Sequence, residues 1–324
     1  MKTFEYFEPA TVSEAISLLS KYKGRAKVIA GSTDLLVTMK RKIVSPECLI
    51  NIKKIPHLTC VDYDEREGFT IGALTTLHAL ETSLPIKEKI NVLAQAAHQV
   101  AARRIRSVAT IGGNLCQDSK CLYYTRIHSW GRAPCHRGGG DICYAVKGAK
   151  SCQAMATAET APALLCLNAR AKIAGPTGER HVALEDFFIS AGVTALQDDE
   201  ILSAIEIPNP PAHTGGVYLK HSLRGSIDFA IAGVAVVLTL EPRNGACNDA
   251  RISLLGVARI PMRARRAEGV LKGKTVVDNV IDQAALAASE EARPLGDIFG
   301  SAAYRRKLVN VLVKMATKEA LEGA

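Results

Sequence analysis

The sequence lacks the common nucleotide-binding fingerprints. Its 324 residues contain neither a G-x-G-x-x-G nor a G-x-x-x-x-G-K-[ST] segment, so we expect neither an ordinary Rossmann domain nor a P-loop. Aromatic residues make up only 5%, and no zinc-finger or homeodomain spacing accompanies the basic residues. The formal net charge of +9 therefore does not indicate a nucleic-acid-binding protein.

Long apolar runs are also missing. Charged residues interrupt every hydrophobic stretch before it reaches the roughly 20 residues of a membrane span. The first residues, M-K-T-F-E, lack the basic-then-apolar pattern of a signal peptide. We therefore expect a cytoplasmic protein that does not bind membranes.

The densest basic run lies at residues 259–274 and includes Arg263, Arg265, Arg266 and Lys272. No aromatic residue lies within it, so we interpret it as a solvated connection that precedes a helix. A basic surface of this kind also suits the binding of acidic proteins or anionic cofactors.

A hydrophobic content of 48% is enough for two or three ordinary domains. Apolar residues at helical spacing predict helices, and short apolar runs near glycine or proline predict strands. The predicted helices cover residues 11–21, 91–103, 280–292 and 301–321, and the predicted strands cover residues 27–30, 69–73, 217–219, 230–240 and 251–257. Pro208, Pro210 and Pro211 mark a plausible domain boundary.

Two short glycine loops are the first candidates for chemistry. The first glycine loop (residues 30–34, A-G-S-T-D) directly follows a predicted strand, and the second glycine loop has the sequence T-I-G-G-N (residues 110–114). Glycine lets an anion approach the backbone, and exposed amides beside hydroxyl groups bind phosphate oxygens. Two such loops can hold a pyrophosphate from two sides. Because a carboxylate would repel that group, we expect Asp34 to face a hydroxyl group or to cap the loop.

Nine cysteines are many for a cytoplasmic chain, and five of them lie in one segment, the cysteine insert (residues 115–158). In a reducing compartment this clustering favours metal ligands over disulfides. The spacings Cys121-x13-Cys135-x7-Cys143-x8-Cys152 match neither C-x2-C zinc pairs nor the tight ferredoxin run. Four thiolates can hold either zinc or a 4Fe–4S cluster, so both remain open.

The charge of the cysteine insert suits an anionic cluster. Six cations against two acids give it a net charge of +4, and basic neighbours stabilise thiolate-bound clusters. His128 and His136 are further possible ligands, although histidine in a basic loop is more often solvated. The cations are Lys120, Arg126, Arg132, Arg137, Lys147 and Lys150, and the acids are Asp118 and Asp141.

These motifs occur in a familiar order. The first glycine loop, with its flanks, resembles the A-G-G-T-D-L-L loop of FAD subunits in the xanthine oxidase and carbon monoxide dehydrogenase family, and the second matches that family's T-I-G-G-N. Further matches follow in the family's order at residues 71–76, 199–202, 205–208 and 220–224. The resemblance covers nearly the whole chain.

The resemblance implies a fold and its division. We expect an α+β protein whose two-lobed FAD-binding domain is of the PCMH/vanillyl-alcohol-oxidase type, not a Rossmann domain, followed by a smaller α+β C-terminal domain. The implied parts are an N-terminal lobe (residues 1–56), a middle lobe that carries the cysteine insert (residues 57–212) and the C-terminal domain (residues 213–324).

The resemblance also implies the residues that contact FAD. Ser32 replaces the family's usual second glycine, and Glu159 lies where relatives carry an aspartate before a proline. Leu202 and Lys220 would lie near the flavin ring, although a core leucine and a surface lysine are the alternatives. The expected FAD contacts are Val28, Ile29, Ala30, Gly31, Ser32, Thr33, Asp34, Leu35, Thr110, Ile111, Gly112, Gly113, Asn114, Glu159, Leu202 and Lys220.

A narrower resemblance concerns the insert. The segment N-L-C-Q-D-S-K-C-L-Y-Y (residues 114–124) is similar to the flavin subunit of 4-hydroxybenzoyl-CoA reductase, which carries an extra 4Fe–4S cluster at this insertion. This implies Cys121, Cys135, Cys143 and Cys152 as cluster ligands and leaves Cys116 as the spare.

Three hypotheses for function follow. In the first, reduced ferredoxin delivers electrons to the 4Fe–4S cluster and FAD, which pass them to a small 2Fe–2S subunit and a large molybdenum-cofactor subunit that dehydroxylates 4-hydroxybenzoyl-CoA. In the second, the chain is the FAD subunit of an oxidising molybdenum hydroxylase that passes electrons to NAD or a quinone. The third is a zinc-stabilised binding protein without flavin.

Overall fold

The computed structural model describes residues 2–126, 131, 133–243 and 245–324, and they form an α+β fold as expected. The N-terminal part is a three-stranded parallel sheet in the order β1-β3-β2, with helices in its connections. Its elements are β1 (Glu5–Phe7), α1 (Val12–Tyr22), β2 (Ala26–Ile29), α2 (Leu35–Lys40) and β3 (Cys48–Asn51). The first glycine loop connects β2 to α2.

The middle part is a five-stranded antiparallel sheet in the order β4-β5-β10-β6-β7, packed against short helices. Its core includes Phe69, Ile71, Leu93, Ile111 and Leu164. The strands are β4 (Val61–Asp64), β5 (Gly68–Gly72), β6 (Arg170–Gly175), β7 (Gly178–Ala183) and β10 (Ile201–Ile207), and β8 (Phe188–Ser190) pairs separately with β9 (Val193–Thr194). The helices are α3 (Leu77–Thr82), α4 (Leu84–Lys89), α5 (Asn91–His98), α6 (Arg103–Arg106), α7 (Ile111–Leu115), α8 (Leu122–Arg126), α9 (Ala161–Cys166) and α10 (Leu184–Phe187).

The helix predicted over residues 91–103 is wrong in length, because α5 ends at His98. Distant side chains bind the carbonyl groups that a longer helix would use: Lys220 Nζ donates to Gln99 O at 2.9 Å, and Arg106 Nη1 donates to Val100 O at 3.0 Å. Ala101 then has a positive φ of 46°, which ends the helical path before α6.

The C-terminal part is a four-stranded antiparallel sheet in the order β11-β12-β13-β14, covered by helices. Its elements are β11 (Thr214–His221), β12 (Ala232–Leu240), β13 (Cys247–Leu255), β14 (Met262–Arg263), α11 (Arg265–Leu271), α12 (Asp278–Glu291) and α13 (Ala302–Glu322). Side chains alternate along β11, so Val217 faces the C-terminal core and Tyr218 packs into the middle core. Within the described residues, no helix is both long and apolar enough to cross a membrane.

The solvated connection predicted for residues 259–274 is wrong. This run forms β14 and α11, and Ala267 and Leu271 are fully buried. Acidic side chains neutralise its arginines: Arg263 bonds Glu268 at 2.5 and 2.8 Å, and Arg266 pairs with Glu290 at 2.9 Å. The apolar face of α11 could not be recognised in the sequence because cations surround it.

Candidate functional site

A cavity of about 720 Å³ lies between the two glycine loops. Most of the residues expected to contact FAD line it, but five do not. Ile29 packs beside Met39 and Leu49, while Ile111, Gly112 and Leu202 are buried in the middle part of the protein. Lys220 does not line the cavity itself but contacts two residues that do, Glu159 and Asp228. The expected residues that line the cavity are Val28, Ala30, Gly31, Ser32, Thr33, Asp34, Leu35, Thr110, Gly113, Asn114 and Glu159.

The first glycine loop lies against the backbone that precedes the second. A Cβ on Gly31 would lie 2.0 Å from Val108 O, so only glycine permits this approach. Ser32 has a φ of +63°, and its hydroxyl donates to Ala30 O at 3.0 Å. The amides of Ser32 and Thr33 donate to no acceptor in the described part of the chain, so they are available to an anionic ligand in the cavity.

The second glycine loop is different, which corrects the expectation that its amides are free. Thr110 is the N-cap of α7, and its Oγ1 accepts a hydrogen bond from Gly113 N at 3.1 Å. Ile111 N donates to Thr75 O and Gly112 N to Ala73 O, each at 2.9 Å. A Cβ on Gly112 would lie 2.8 Å from Ala73 O, so this glycine allows close packing.

Asp34 is the N-cap residue of α2, but its side chain makes no capping hydrogen bond and bonds no hydroxyl group among the described residues. Its carboxylate accepts a hydrogen bond from Asp118 N at 2.8 Å and forms an ion pair with the Lys120 ammonium. Asp118 in turn accepts from Tyr124 Oη at 2.8 Å and from Arg137 Nε at 2.7 Å. These contacts tie the first glycine loop to the start of the cysteine insert.

A buried ion pair lies at another part of the cavity. Lys220 Nζ is 2.5 Å from Glu159 Oε1, and the two side chains are 5% and 3% exposed. Lys220 is therefore not a surface lysine. Burial raises the pKa of Glu159 to about 7, although the charge of Lys220 opposes this shift. Nearby, Asn114 Oδ1 accepts from Thr160 Oγ1 at 2.7 Å, which joins α7 to the start of α9.

The four cysteines predicted as ligands come together. Cys121, Cys135, Cys143 and Cys152 line one small cavity of about 20 Å³, whereas Cys116 lines the large cavity. Burial and, to a smaller extent, neighbouring cysteines raise the pKa of Cys121 and of Cys152.

No group of three or more His, Cys, Asp or Glu side chains has the arrangement of a metal site within the described residues. His136 also lines the small cavity, but its Nε2 lies 2.8 Å from Ala149 O. Two candidates from the sequence, His128 and Arg132, lie outside the described residues.

The residues that connect the two cavities could not be identified from the sequence. Tyr124 and Arg137 line both the large cavity and the cysteine-lined cavity, and Asp118 bonds both of them. From the sequence, Arg137 and Asp118 were identified only as charged residues of the insert. Asp118 and Tyr124 are six positions apart, and α8 begins between them. Their spacing therefore gives no signal of this contact in the sequence.

The cavity fits FAD on three counts. Its volume falls within the range of about 300–1,000 Å³ that is usual for ligand sites. The first glycine loop supplies free amides and hydroxyl groups, which suit a pyrophosphate. The carboxylate of Asp34, which would repel that group, is paired with Lys120.

Comparisons with known proteins agree with this assignment. Residues 2–210 match the FAD binding domain in molybdopterin dehydrogenase, and residues 217–320 match the CO dehydrogenase flavoprotein C-terminal domain. The carbon monoxide dehydrogenase medium chain of Afipia carboxidovorans is 32% identical over 320 residues, covering 98% of this chain and 96% of the relative. Subunit alpha of the 6-hydroxypseudooxynicotine dehydrogenase complex of Paenarthrobacter nicotinovorans is 28% identical over 322 residues, covering 99% and 96%.

Solved structures show the same fold. Carbon monoxide dehydrogenase of Hydrogenophaga pseudoflava superposes with a TM-score of 0.83 at 29% identity, covering 100% of this chain and 99% of that one. Quinoline 2-oxidoreductase of Pseudomonas putida 86 gives a TM-score of 0.79 at 26% identity, with 99% of both chains covered. The chain therefore belongs to the FAD-binding subunits of the xanthine oxidase and molybdenum hydroxylase family.

Proposed function

We propose that this FAD-binding chain is an electron-transfer subunit that carries a second redox centre, a 4Fe–4S cluster, in the cysteine insert. One observation carries the proposal: four cysteines that are widely spaced in sequence line a single small cavity. Four thiols that line one cavity are candidates for a metal cluster, which each ligand cysteine would bind as a thiolate after releasing its proton. Cys116, the fifth cysteine, lies apart from them.

The residues of this chain have three tasks in the proposal. When bound, FAD exchanges electrons in pairs or singly and a 4Fe–4S cluster exchanges them singly. The amides of Ser32 and Thr33 would hold the pyrophosphate, and Glu159, which is paired with Lys220, forms part of the cavity wall. Asp118, through Tyr124 and Arg137, fixes the cysteine insert against the FAD cavity.

We further propose an electron donor and a reaction for the complex. The charged groups of Arg126, Lys147 and Lys150 lie on exposed residues of the insert, which suits docking of an acidic donor such as reduced ferredoxin. The chain would assemble with a small 2Fe–2S subunit and a large molybdenum-cofactor subunit. The large subunit would reductively remove the phenolic hydroxyl of 4-hydroxybenzoyl-CoA, and this chain would hold no substrate-reducing residue.

A second candidate function has the opposite direction of electron flow. The relatives bear the names of dehydrogenases and hydroxylases, among them carbon monoxide dehydrogenase and nicotine 6-hydroxylase. This favours an FAD subunit of an oxidising molybdenum hydroxylase, with NAD or a quinone as electron acceptor. The cysteine insert would then serve another purpose, such as holding a structural zinc ion.

The cluster is tested by its composition. We expect the chain purified without oxygen to contain about four irons, four sulfides and one FAD, the content of a single 4Fe–4S flavoprotein. Cys143→Ser should lose most of the iron and keep FAD, whereas the matched control Cys116→Ser should keep both. Full FAD with no iron after anaerobic reconstitution would contradict the cluster, and zinc in its place would support the structural alternative.

The direction of flow is tested separately in the assembled complex. Stopped-flow absorbance would compare the rates at which reduced ferredoxin and NADH reduce the flavin. Faster reduction by ferredoxin supports the reductase, and faster reduction by NADH supports the oxidising hydroxylase. This comparison is informative whether or not the insert holds iron.

A further inference from the structure

Glu159 is a buried acid on the wall of the FAD cavity. The phosphate-binding role proposed for the glycine loops does not require it. Its side chain is 3% exposed, and its carboxylate is 2.5 Å from the ammonium group of Lys220. The Tyr218 hydroxyl, on the same face of β11 as Lys220, is buried and has no hydrogen-bond partner among the described residues. Glu159 is therefore buried together with a lysine and near an unpartnered hydroxyl group.

Three groups surround the Lys220 ammonium. The ammonium group donates to Gln99 O at 2.9 Å and to Asp228 O at 2.7 Å, and it forms an ion pair with Glu159 at 2.5 Å. Two of these groups are backbone carbonyls, so Glu159 is the one of the three that can take up a proton. Its raised pKa of about 7, caused first by burial, agrees with this assignment.

The other charged groups around Glu159 are already paired. Arg106, on α6, lies 2.7 Å from Glu81, and Asp228, in the loop before β12, forms an ion pair with Arg224. The neighbours from α7 and α9, Asn114 and Thr160, are uncharged. No second acid competes with Glu159 for a proton at this wall, within the residues that the structure describes.

We propose that Glu159 is the charge-compensating proton acceptor of the FAD cavity. For each pair of electrons that an iron–sulfur donor or a hydride donor adds to FAD in this cavity, the Glu159 carboxylate takes one proton from hydronium. An O–H bond of hydronium breaks to leave water, and one O–H bond forms on Glu159. This uptake is separate from any proton that the cofactor itself binds. Lys220 is the positioning residue that holds the carboxylate at the wall. The proposal rests on FAD occupying this cavity and does not depend on iron in the cysteine insert.

The expected signature is the pH dependence of the flavin midpoint potential. Added negative charge raises the pKa of Glu159 further, so the proton is taken up at pH values just above about 7, where the carboxylate of the oxidised protein is ionised. When one proton is taken up for every two electrons, a tenfold change in proton concentration shifts the midpoint potential by about 30 mV. Over this interval, the potential of the wild-type chain should fall about 30 mV per pH unit more steeply than that of Glu159→Gln.

Two variants serve as controls in the same titration. Glu159→Asp retains a carboxylate at the same position and should keep the steeper slope. Glu268→Gln changes another buried glutamate, which pairs with Arg263 away from the cavity, and should leave the slope unchanged. Equal slopes in the wild-type chain and Glu159→Gln would overturn the proposal.

A second measurement needs no variant. The wild-type chain is reduced in weakly buffered solution near pH 6 and near pH 8, and proton uptake per FAD is read from a pH indicator. Uptake near pH 8 that equals the uptake of free FAD at that pH would also overturn the proposal, even if Glu159→Gln does not fold. FAD content is measured on the same samples, so failure of FAD binding is distinguished from failure of proton coupling.

Discussion

The two glycine loops look alike in sequence but differ in structure. The first glycine loop follows a strand, contains a residue with positive φ and leaves the amides of Ser32 and Thr33 without acceptors in the described chain. The second glycine loop begins helix α7, and the amides of Ile111, Gly112 and Gly113 all donate within the protein. Both loops line one cavity, but the first offers two adjacent free amides to a ligand, whereas the amides of both glycines in the second are already bonded.

The difference shows that glycine has two separate uses around this cavity. Gly31 permits close contact with Val108 O, which brings the donor loop to the cavity, while Gly112 permits close packing against Ala73. We therefore expect the first loop to control ligand affinity and the second to control mainly stability. Substitutions at matched positions in the two loops test this difference between ligand affinity and stability.

The largest effect is expected for Gly31→Ala. The added Cβ would lie 2.0 Å from Val108 O and 2.8 Å from its carbonyl carbon, so backbone must move. Overpacking of this kind costs about 3 kcal/mol. We expect a lower melting temperature and loss of most bound FAD, measured by thermal unfolding and by flavin absorbance after gel filtration.

Gly113→Ala is the matched control in the second loop. Its Cβ would meet only Thr110 Oγ1, at 3.0 Å, and alanine favours a helix over glycine by about 0.5–1 kcal/mol. Near-normal stability and FAD content are expected. If Gly113→Ala loses as much FAD as Gly31→Ala, the two loops contribute equally to ligand binding and the expected difference is absent.

An intermediate effect is expected for Thr110→Val. Valine keeps the shape of threonine but removes the Oγ1 that accepts from Gly113 N, and loss of such a cap costs about 1 kcal/mol. The free energy of unfolding should fall by this amount while the dissociation constant for FAD changes little.

Thr11→Val provides the comparison for that variant, because Thr11 caps α1 through Glu14 N and does not line the cavity. Denaturant unfolding gives the stability of each variant, and titration with FAD gives its affinity. An affinity loss that is specific to Thr110→Val and larger than its stability loss would show that the second loop binds the ligand directly.

Much of the fold could be predicted because its signals are local. The helix predicted over residues 301–321 corresponds to α13, where Ser301 Oγ accepts from Tyr304 N at 3.1 Å. The error at the end of α5 arose where a distant residue contributes to the structure. Lys220, which bonds Gln99 O, lies 121 positions away in sequence from the helix end that it affects.

The same distinction applies to the site. The residues of the first glycine loop could be proposed from their sequence, and the family resemblance is confirmed. The role of Asp34 could not be predicted, because its partner Lys120 is 86 positions distant. The family assignment also removes the hypothesis of a binding protein without flavin, while the cluster ligands and the individual FAD contacts stay predictions.

The smallest effect is expected for Ser32→Gly in the first loop. A left-handed conformation costs a non-glycine residue about 1–2 kcal/mol, and glycine removes this strain. Glycine also adds about 0.5–1 kcal/mol of unfolded-state entropy and loses the hydroxyl contact with Ala30 O. Because these terms oppose each other, we expect stability to change by less than about 1 kcal/mol, and the dissociation constant for FAD by less than about fivefold.

Ser32→Ala separates the two terms, since alanine loses the same hydroxyl contact but keeps the strain. It should be about 1 kcal/mol less stable than Ser32→Gly, measured by denaturant unfolding of the FAD-free chain. If alanine is more stable than glycine at this position by the full entropic cost of glycine, about 0.5–1 kcal/mol, the positive φ of Ser32 is not a source of strain. The first loop would then owe its shape to the contact of Gly31 with Val108 alone, and the contrast between the two loops would rest on their hydrogen bonds.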